Sequence, residues 1–265
     1  VKIIYPDNIT SVSADEENAN FLAVNVQTNY IKEVWKATSV DAVLTLVVSS
    51  GKGAALFGCN ASSVSVTILT SLDGAWAAAG DGNIGGAWGA TGDGHIGVSW
   101  AVSEFSGVTT TYNLDETGLG ALWIDYTEMS IQHTIKIELT GSATIEVGVA
   151  KAGAVKEFND PQYGITEGLR DYSLIKELSN GAMYVKKRDV VRTFGLNFFV
   201  TRDDDFYDFM DVIYRQNGLN PLAYRLSSAL TDFQWIVYAR PDAMPSGSHD
   251  YPEDSIVAIS ITEVI

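Results

Sequence analysis

Arginine is absent from the first 169 residues of this 265-residue chain, and no positive charge of either kind lies between Lys52 and Lys136. With 17 basic against 33 acidic residues, net −16, the chain lacks the cation clusters that read a phosphate backbone, so no nucleic-acid partner is expected. Cysteine is nearly missing too. Cys59 alone excludes an internal disulfide and a thiolate metal cluster, and it reads as buried and inert. Histidine is limited to His95, His133 and His249, and there is no G-x-S-x-G, H-E-x-x-H or G-x-x-x-x-G-K-[ST] motif. No enzyme is expected. Apolar runs stay below the roughly 18 residues that cross a bilayer, so no membrane-spanning segment is expected. The first residues lack the basic-then-apolar layout of a signal peptide, so the sequons Asn8-Ile-Thr10 and Asn60-Ala-Ser62 are expected to be chance matches.

What is present is a folded composition, 46% hydrophobic and 19% charged, with period-two alternation through the first 150 residues. Leu44, Leu46 and Val48 alternate with more polar neighbours, as do Val64, Val66 and Ile68, Ile135, Ile137 and Leu139, and Ile145, Val147 and Val149. Short half-buried strands at close spacing predict an antiparallel β-sandwich or jelly roll over residues 1–156. Gly51-Lys52-Gly53 falls between two such strands and reads as a hairpin. His133 opens a strand and reads as structural, while His249 reads as a cap or tether of the proline-bearing loop 240–254. Asp125 and Glu128 form an acid pair of the kind glycosidases use, although with 33 acids such pairs arise by number alone.

The rear of the chain has a different pattern. Phe206, Phe209, Met210, Ile213 and Tyr214 fall at helical spacing behind Asp203-Asp204-Asp205, and Gly218 follows as a stop. One main amphipathic helix over about 204–217 is therefore predicted, the Asp triplet capping it rather than binding metal. Strands at 193–201, 222–226, 233–239 and 256–264 complete a small α+β region over 189–265, packed beside the sandwich. Residues 157–188 form a connector with short strands near 174–178 and 183–187. Residues 1–160 carry 7 basic and 18 acidic residues, and residues 161–265 carry 10 and 15, including every arginine. Guanidinium suits planar ion pairs across interfaces, so Arg170, Arg188 and Arg192 beside the connector are read as assembly contacts. An ion pair within the subunit explains them equally well.

Between Trp76 and Trp100 a twelve-residue phrase occurs twice, as Trp76-AAAGDGNIGGA and Trp88-GATGDGHIGVS, with Trp100 closing the frame. Two copies cannot stack a solenoid, so the phrase is a glycine-rich loop at 74–106 set into the sandwich. Three readings stay open. Asp81 and Asp93, with nearby carbonyls, suit a hard cation such as Ca²⁺, although no cofactor or metal is the expectation. Trp76, Trp88 and Trp100 could form an aromatic surface for a sugar, a neighbouring subunit or a cell envelope. The indoles could equally fold back onto the body. The loop is expected to project and touch something other than its own core.

Several phrases carry a resemblance. Glu33-Val34-Trp35-Lys36-Ala37-Thr38-Ser39 followed by Phe57-Gly58-Cys59-Asn60 resembles the opening of galactose-binding-like jelly rolls of virion proteins. Gly168–Ser173, Lys187–Phe194, Phe206–Gly218, Ile236–Arg240 and Ile261–Val264 resemble tail-tip and baseplate proteins of tailed bacteriophages. The resemblance covers most of the chain except the repeat. It implies a structural virion component with a carbohydrate-binding-module-like sandwich, assembled as an oligomer with other tail proteins in the host cytoplasm, and able to touch host-surface glycan. A free-standing carbohydrate-binding module or adhesin is the alternative, and a glycan-hydrolase-associated protein the third.

Overall fold

The computed structural model describes residues 1–70, 109–114, 120–161, 165–177, 183–201, 204–227, 235–249 and 254–264. The front of the chain holds β1 (Lys2–Asp7), β2 (Ile9–Ala14), β3 (Trp35–Lys36), β4 (Asp41–Val48), β5 (Gly51–Cys59) and β6 (Ser63–Thr70). It continues with β7 (Thr109–Asn113), β8 (Gly120–Met129), β9 (His133–Thr140), β10 (Glu146–Val147) and β11 (Val149–Glu157). The rear adds β12 (Thr166–Asp171), β13 (Leu174–Glu177), β14 (Met183–Lys186), β15 (Val190–Thr201), β16 (Leu222–Arg225), β17 (Ile236–Pro241), β18 (Ser246–Ser248) and β19 (Asp254–Glu263). The architecture is mainly β and antiparallel throughout, a sandwich followed by a region with one main helix among the described residues.

A five-stranded sheet in the order β2-β4-β9-β6-β7 forms one layer of the sandwich. Its alternation works as the periodicity predicts. Leu44 and Leu46 stand opposite Ile137 and Ile135, and all four are fully buried on one face. The outer face carries hydroxyl pairs such as Ser65 with Thr111 and the Lys136–Glu138 ion pair. The facing layer supplies Ala54 and Leu56 of β5, Leu122 and Ile124 of β8, and Ala150 and Ala152 of β11.

That facing layer does not stop at the sandwich. It runs on as one ten-stranded sheet, β12-β15-β19-β17-β16-β1-β11-β5-β8, with β18 added beside β19. The joining strand is β1, whose Ile4 pairs with Val155 of β11 on one side and Ala223 of β16 on the other. Hydrogen bonding therefore passes unbroken across residue 156, where the sequence pattern changes. The rear half of the sheet is covered by the helix. Its first turn, Asp204–Tyr207, is α-helical; Asp208–Arg215 winds more widely, with i→i+5 bonds, and Gly218 stops it at φ +67° with its N–H on the Tyr214 carbonyl. Phe209, Ile213 and Tyr214 are buried against Phe198, Leu222 and Tyr224, with Phe206 and Met210 at the margin, as their spacing requires. Asp203 itself lies outside the described residues.

Two local expectations are corrected. Gly51-Lys52-Gly53 is not a hairpin, because β4 and β5 belong to different sheets and the chain crosses between layers at Ser49–Ser50. Asn8 ties that crossing, its side chain donating to the Ser50 carbonyl at 2.9 Å. The strands crowd there: a Cβ on Gly153 would lie 2.1 Å from the Pro6 carbonyl oxygen. The run Ile145–Val149 is likewise not one strand. It breaks at Gly148, whose N–H turns to the Phe57 carbonyl, so that β10 pairs with β3 while β11 enters the large sheet.

Candidate functional site

The covered face of the large sheet is closed by the five-stranded layer and the helix. Its opposite face carries a second buried cluster, approached among the described residues by the segment that follows the short 3₁₀ turn Ala23–Gln27. Gly148 permits this approach, since a Cβ there would fall 2.7 Å from the Ile31 carbonyl oxygen. Ile31 then packs on a cluster that includes Phe57, Val149, Ile236 and Tyr238.

Beneath the segment sits a buried cation. Lys151 reaches Asp7 Oδ2 at 3.0 Å and Asn29 Oδ1 at 3.1 Å, and the Tyr238 hydroxyl donates to the same Asn29 oxygen at 3.0 Å. A nearly buried ammonium needs this pairing, and its loss would leave an uncompensated charge. Burial, with Asp7 nearby, holds the Tyr238 hydroxyl well above its ordinary value. A small polar recess of about 320 Å³ opens here, lined by Asp7, Gln27, Asn29, Lys151, Asn217 and Asn220. It adjoins a wider cleft of about 850 Å³ that shares Asn29 and Asn220. Asn29, Tyr30 and Lys32 form one wall, Tyr172, Lys187, Arg188 and Asp189 the other, and Arg240, Thr262 and Glu263 contribute to the lining. The Lys32–Asp189 ion pair, at 2.6 Å, links the two walls.

The second wall is the foot of an arm. Among the described residues strands β13 and β14 pair with each other and not with either large sheet, and all eight of their residues are exposed. The register sets Ile175 opposite Val185 and Met183 opposite Glu177, so three apolar side chains share one face. The other face carries Leu174 and Tyr184 with Lys176 and Lys186. Met183 is 68% exposed and Ile175 61%, and Leu169 on the neighbouring edge strand β12 is 75% exposed. An isolated two-stranded hairpin is marginal in water, and apolar groups on both of its faces are unusual for a free surface.

The three arginines surround this region. Arg192 forks onto Glu263, with Nε and Nη2 donating at 3.0 and 2.7 Å, and those bonds hold its guanidinium above the ordinary value. Arg170 lies 3.7 Å from Asp242 and over the Tyr172 ring. Arg188 lines the cleft, its backbone N–H bonded to Ser173 Oγ. Arg192 and Arg170 thus have partners within the subunit, and Arg188 makes no side-chain ion pair among the described residues. Trp76, Trp88, Trp100, Asp81 and Asp93 lie outside the described residues. Among the described residues no group of three His, Cys, Asp or Glu side chains is placed to hold a metal ion.

Asp125 and Glu128 lie three residues apart on β8, whose pairing with β5 is irregular over this stretch. Asp125 is held by Lys2, Arg225 and the Trp123 indole at 3.0–3.1 Å. His133 is buried between the Ile131 carbonyl and the Tyr126 hydroxyl, and His249 tethers its loop to Ser255 Oγ at 2.7 Å. Lys151 was not singled out from the sequence, and of the arm only its two short strands were, not their pairing apart from the large sheets or their exposure. The signal for the first was a lone lysine inside the apolar run Val149–Val155, and for the second an apolar pair of short segments flanked by cations.

These features define a class, an antiparallel β-sandwich whose inner sheet extends into an α+β region bearing an exposed arm. No family model matches the chain, and no curated protein matches it. Among solved structures it is similar to reduced XRCC1 bound to the DNA pol beta catalytic domain (TM-score 0.37, 9% identity, covering 56% of this chain and 97% of that one). It is also similar to truncated AlyQ with CBM32 and alginate lyase domains (TM-score 0.33, 13% identity, covering 77% of this chain). This chain spans 50% of that AlyQ chain. Neither likeness carries a statement about ligand or partner.

Proposed function

We propose that the protein is an architectural component of a larger assembly, acting by binding rather than by catalysis, and that the assembly is a tail tip or baseplate of a tailed bacteriophage. The observation that carries the architectural reading is the arm. Its eight exposed residues include Leu174, Ile175, Met183, Tyr184 and Val185, which a free subunit gains nothing by showing to water. Burying them against a neighbour would contribute roughly 25 cal/mol per Å² of apolar surface removed from water. The virion setting rests on the sequence resemblance. The test is incorporation: particles assembled with Ile175→Asp/Val185→Asp in place of the natural chain should lack the protein or fail to form. Normal incorporation would contradict the reading.

A second reading is favoured by the cleft. Amide and carboxylate groups of Asn29, Asn220 and Asp7 beside the exposed rings of Tyr30 and Tyr172 are the chemistry that holds a saccharide, polar groups on hydroxyls and aromatic faces on the sugar ring. Glycan-array binding by the isolated chain, lost in Asn29→Ala, would support it; no glycan bound at any concentration would remove it.

A further inference from the structure

Charge separates the arm from the rest of the molecule. Residues 172–189, the arm and its foot, carry four cations (Lys176, Lys186, Lys187 and Arg188) and two acids (Glu177 and Asp189), a net +2 within a chain of net −16, so the remainder is −18. Residues 1–160 hold −11 of that. The arm is therefore a basic, apolar finger on an acidic body.

Resting on the assembly reading, we propose that the arm docks on the acidic front region of a second copy of this chain. The apolar face of Ile175, Met183 and Val185 makes the contact, and Lys187 and Arg188, beyond the end of β14 at the arm's foot, meet the partner's carboxylates. Three observations select this occupant. Two arms laid against each other would bring +2 against +2, whereas arm against body is attractive. The apolar face carries one acid, Glu177, at its edge and no cation, so it can be dried without burying an unpaired charge from its centre. The chain reaches the two strands through Tyr172 and 187–189, which are exposed, and all eight strand residues are exposed, so the arm is open to another molecule.

The contact joins unlike surfaces of two identical chains, and it is strengthened by electrostatic attraction that salt screens. Two consequences can be read directly. Association should weaken at least tenfold between about 50 mM and 500 mM salt, because the Debye length falls well below 10 Å. Reversing the arm charge should weaken it by a similar or larger factor at low salt.

The experiment is sedimentation velocity of the full chain over a wide concentration range, at both salt levels, for three proteins. These are the natural chain, Ile175→Asp/Val185→Asp, and Lys186→Glu/Lys187→Glu/Arg188→Glu. All substituted side chains are exposed, so thermal melts should stay unchanged and report that the fold is intact. The proposal expects reversible, salt-sensitive association of the natural chain and monomers for both variants. A natural chain that stays monomeric at every concentration overturns it, as does association that survives in either variant. The incorporation test separates the two claims. If the natural chain is monomeric alone but Ile175→Asp/Val185→Asp fails to enter particles, the arm's partner is a different protein and only this inference falls. If that variant enters particles normally, both fall.

Discussion

Tyr214 and Tyr224 are the clearest case of a single polar contact fixing the rear core. Their hydroxyls meet at 2.8 Å, both rings are buried, and burial holds both above the ordinary tyrosine value of 10.0. In the unfolded chain they would ionise near that value, so their share of stability is complete below about pH 10 and is lost as pH rises beyond it. Melting temperature should be flat across neutral pH and fall above pH 10. Tyr214→Phe should cost about 1–3 kcal/mol by leaving the Tyr224 hydroxyl without its partner. Tyr214→Phe/Tyr224→Phe should cost less than the sum of the single changes, measured by denaturant unfolding. Cys59 makes a parallel point on reactivity. It is buried, and burial pushes its thiol up to about 11, so alkylating reagent at pH 8 should label it only after unfolding.

At the scale of elements, legibility in the sequence followed how many faces an element buries. β4, β6 and β9 bury one face and wet the other, and their alternation announced them. β5 and β11 lie in the inner layer with both faces covered. Ala54 and Leu56 point to one core, Ala55 and Phe57 to the opposite one, and no period-two pattern survives. The join through β1 was hidden for another reason: Lys2 pairs with Glu157 of β11 and with Arg225 of β16, far apart along the chain, and local patterning does not encode such contacts. The helix was legible because its apolar stripe has a single target. Phe209 is that stripe's centre, with the rings of Phe158, Phe198 and Tyr214 at 4.8–5.1 Å, so Phe209→Ala should cost about 3–5 kcal/mol. Gly153→Ala should also destabilise, because its Cβ has only backbone to meet at the layer crossing. The arm's two short strands were legible near 174–178 and 183–187, but not their pairing apart from the large sheets, which local patterning does not encode. Their apolar residues are exposed, a pattern that the proposed assembly would explain.

For the whole molecule, the continuous sheet has a consequence. A body whose front and rear share one hydrogen-bonded layer should unfold as a unit, and the two halves should not melt separately in calorimetry. The arm stands outside that unit. Its residues are exposed and join none of the buried clusters among the described residues, so it belongs to the least protected part of the described fold when the subunit is free. Amide hydrogen exchange resolved along the chain, on the free subunit and on the assembled particle, tests the central claim most directly. The account predicts fast exchange over Leu174–Glu177 and Met183–Lys186 in the free chain and strong protection there on assembly, with β4 and β9 slow in both. Equal, fast exchange of the arm in both states would contradict it.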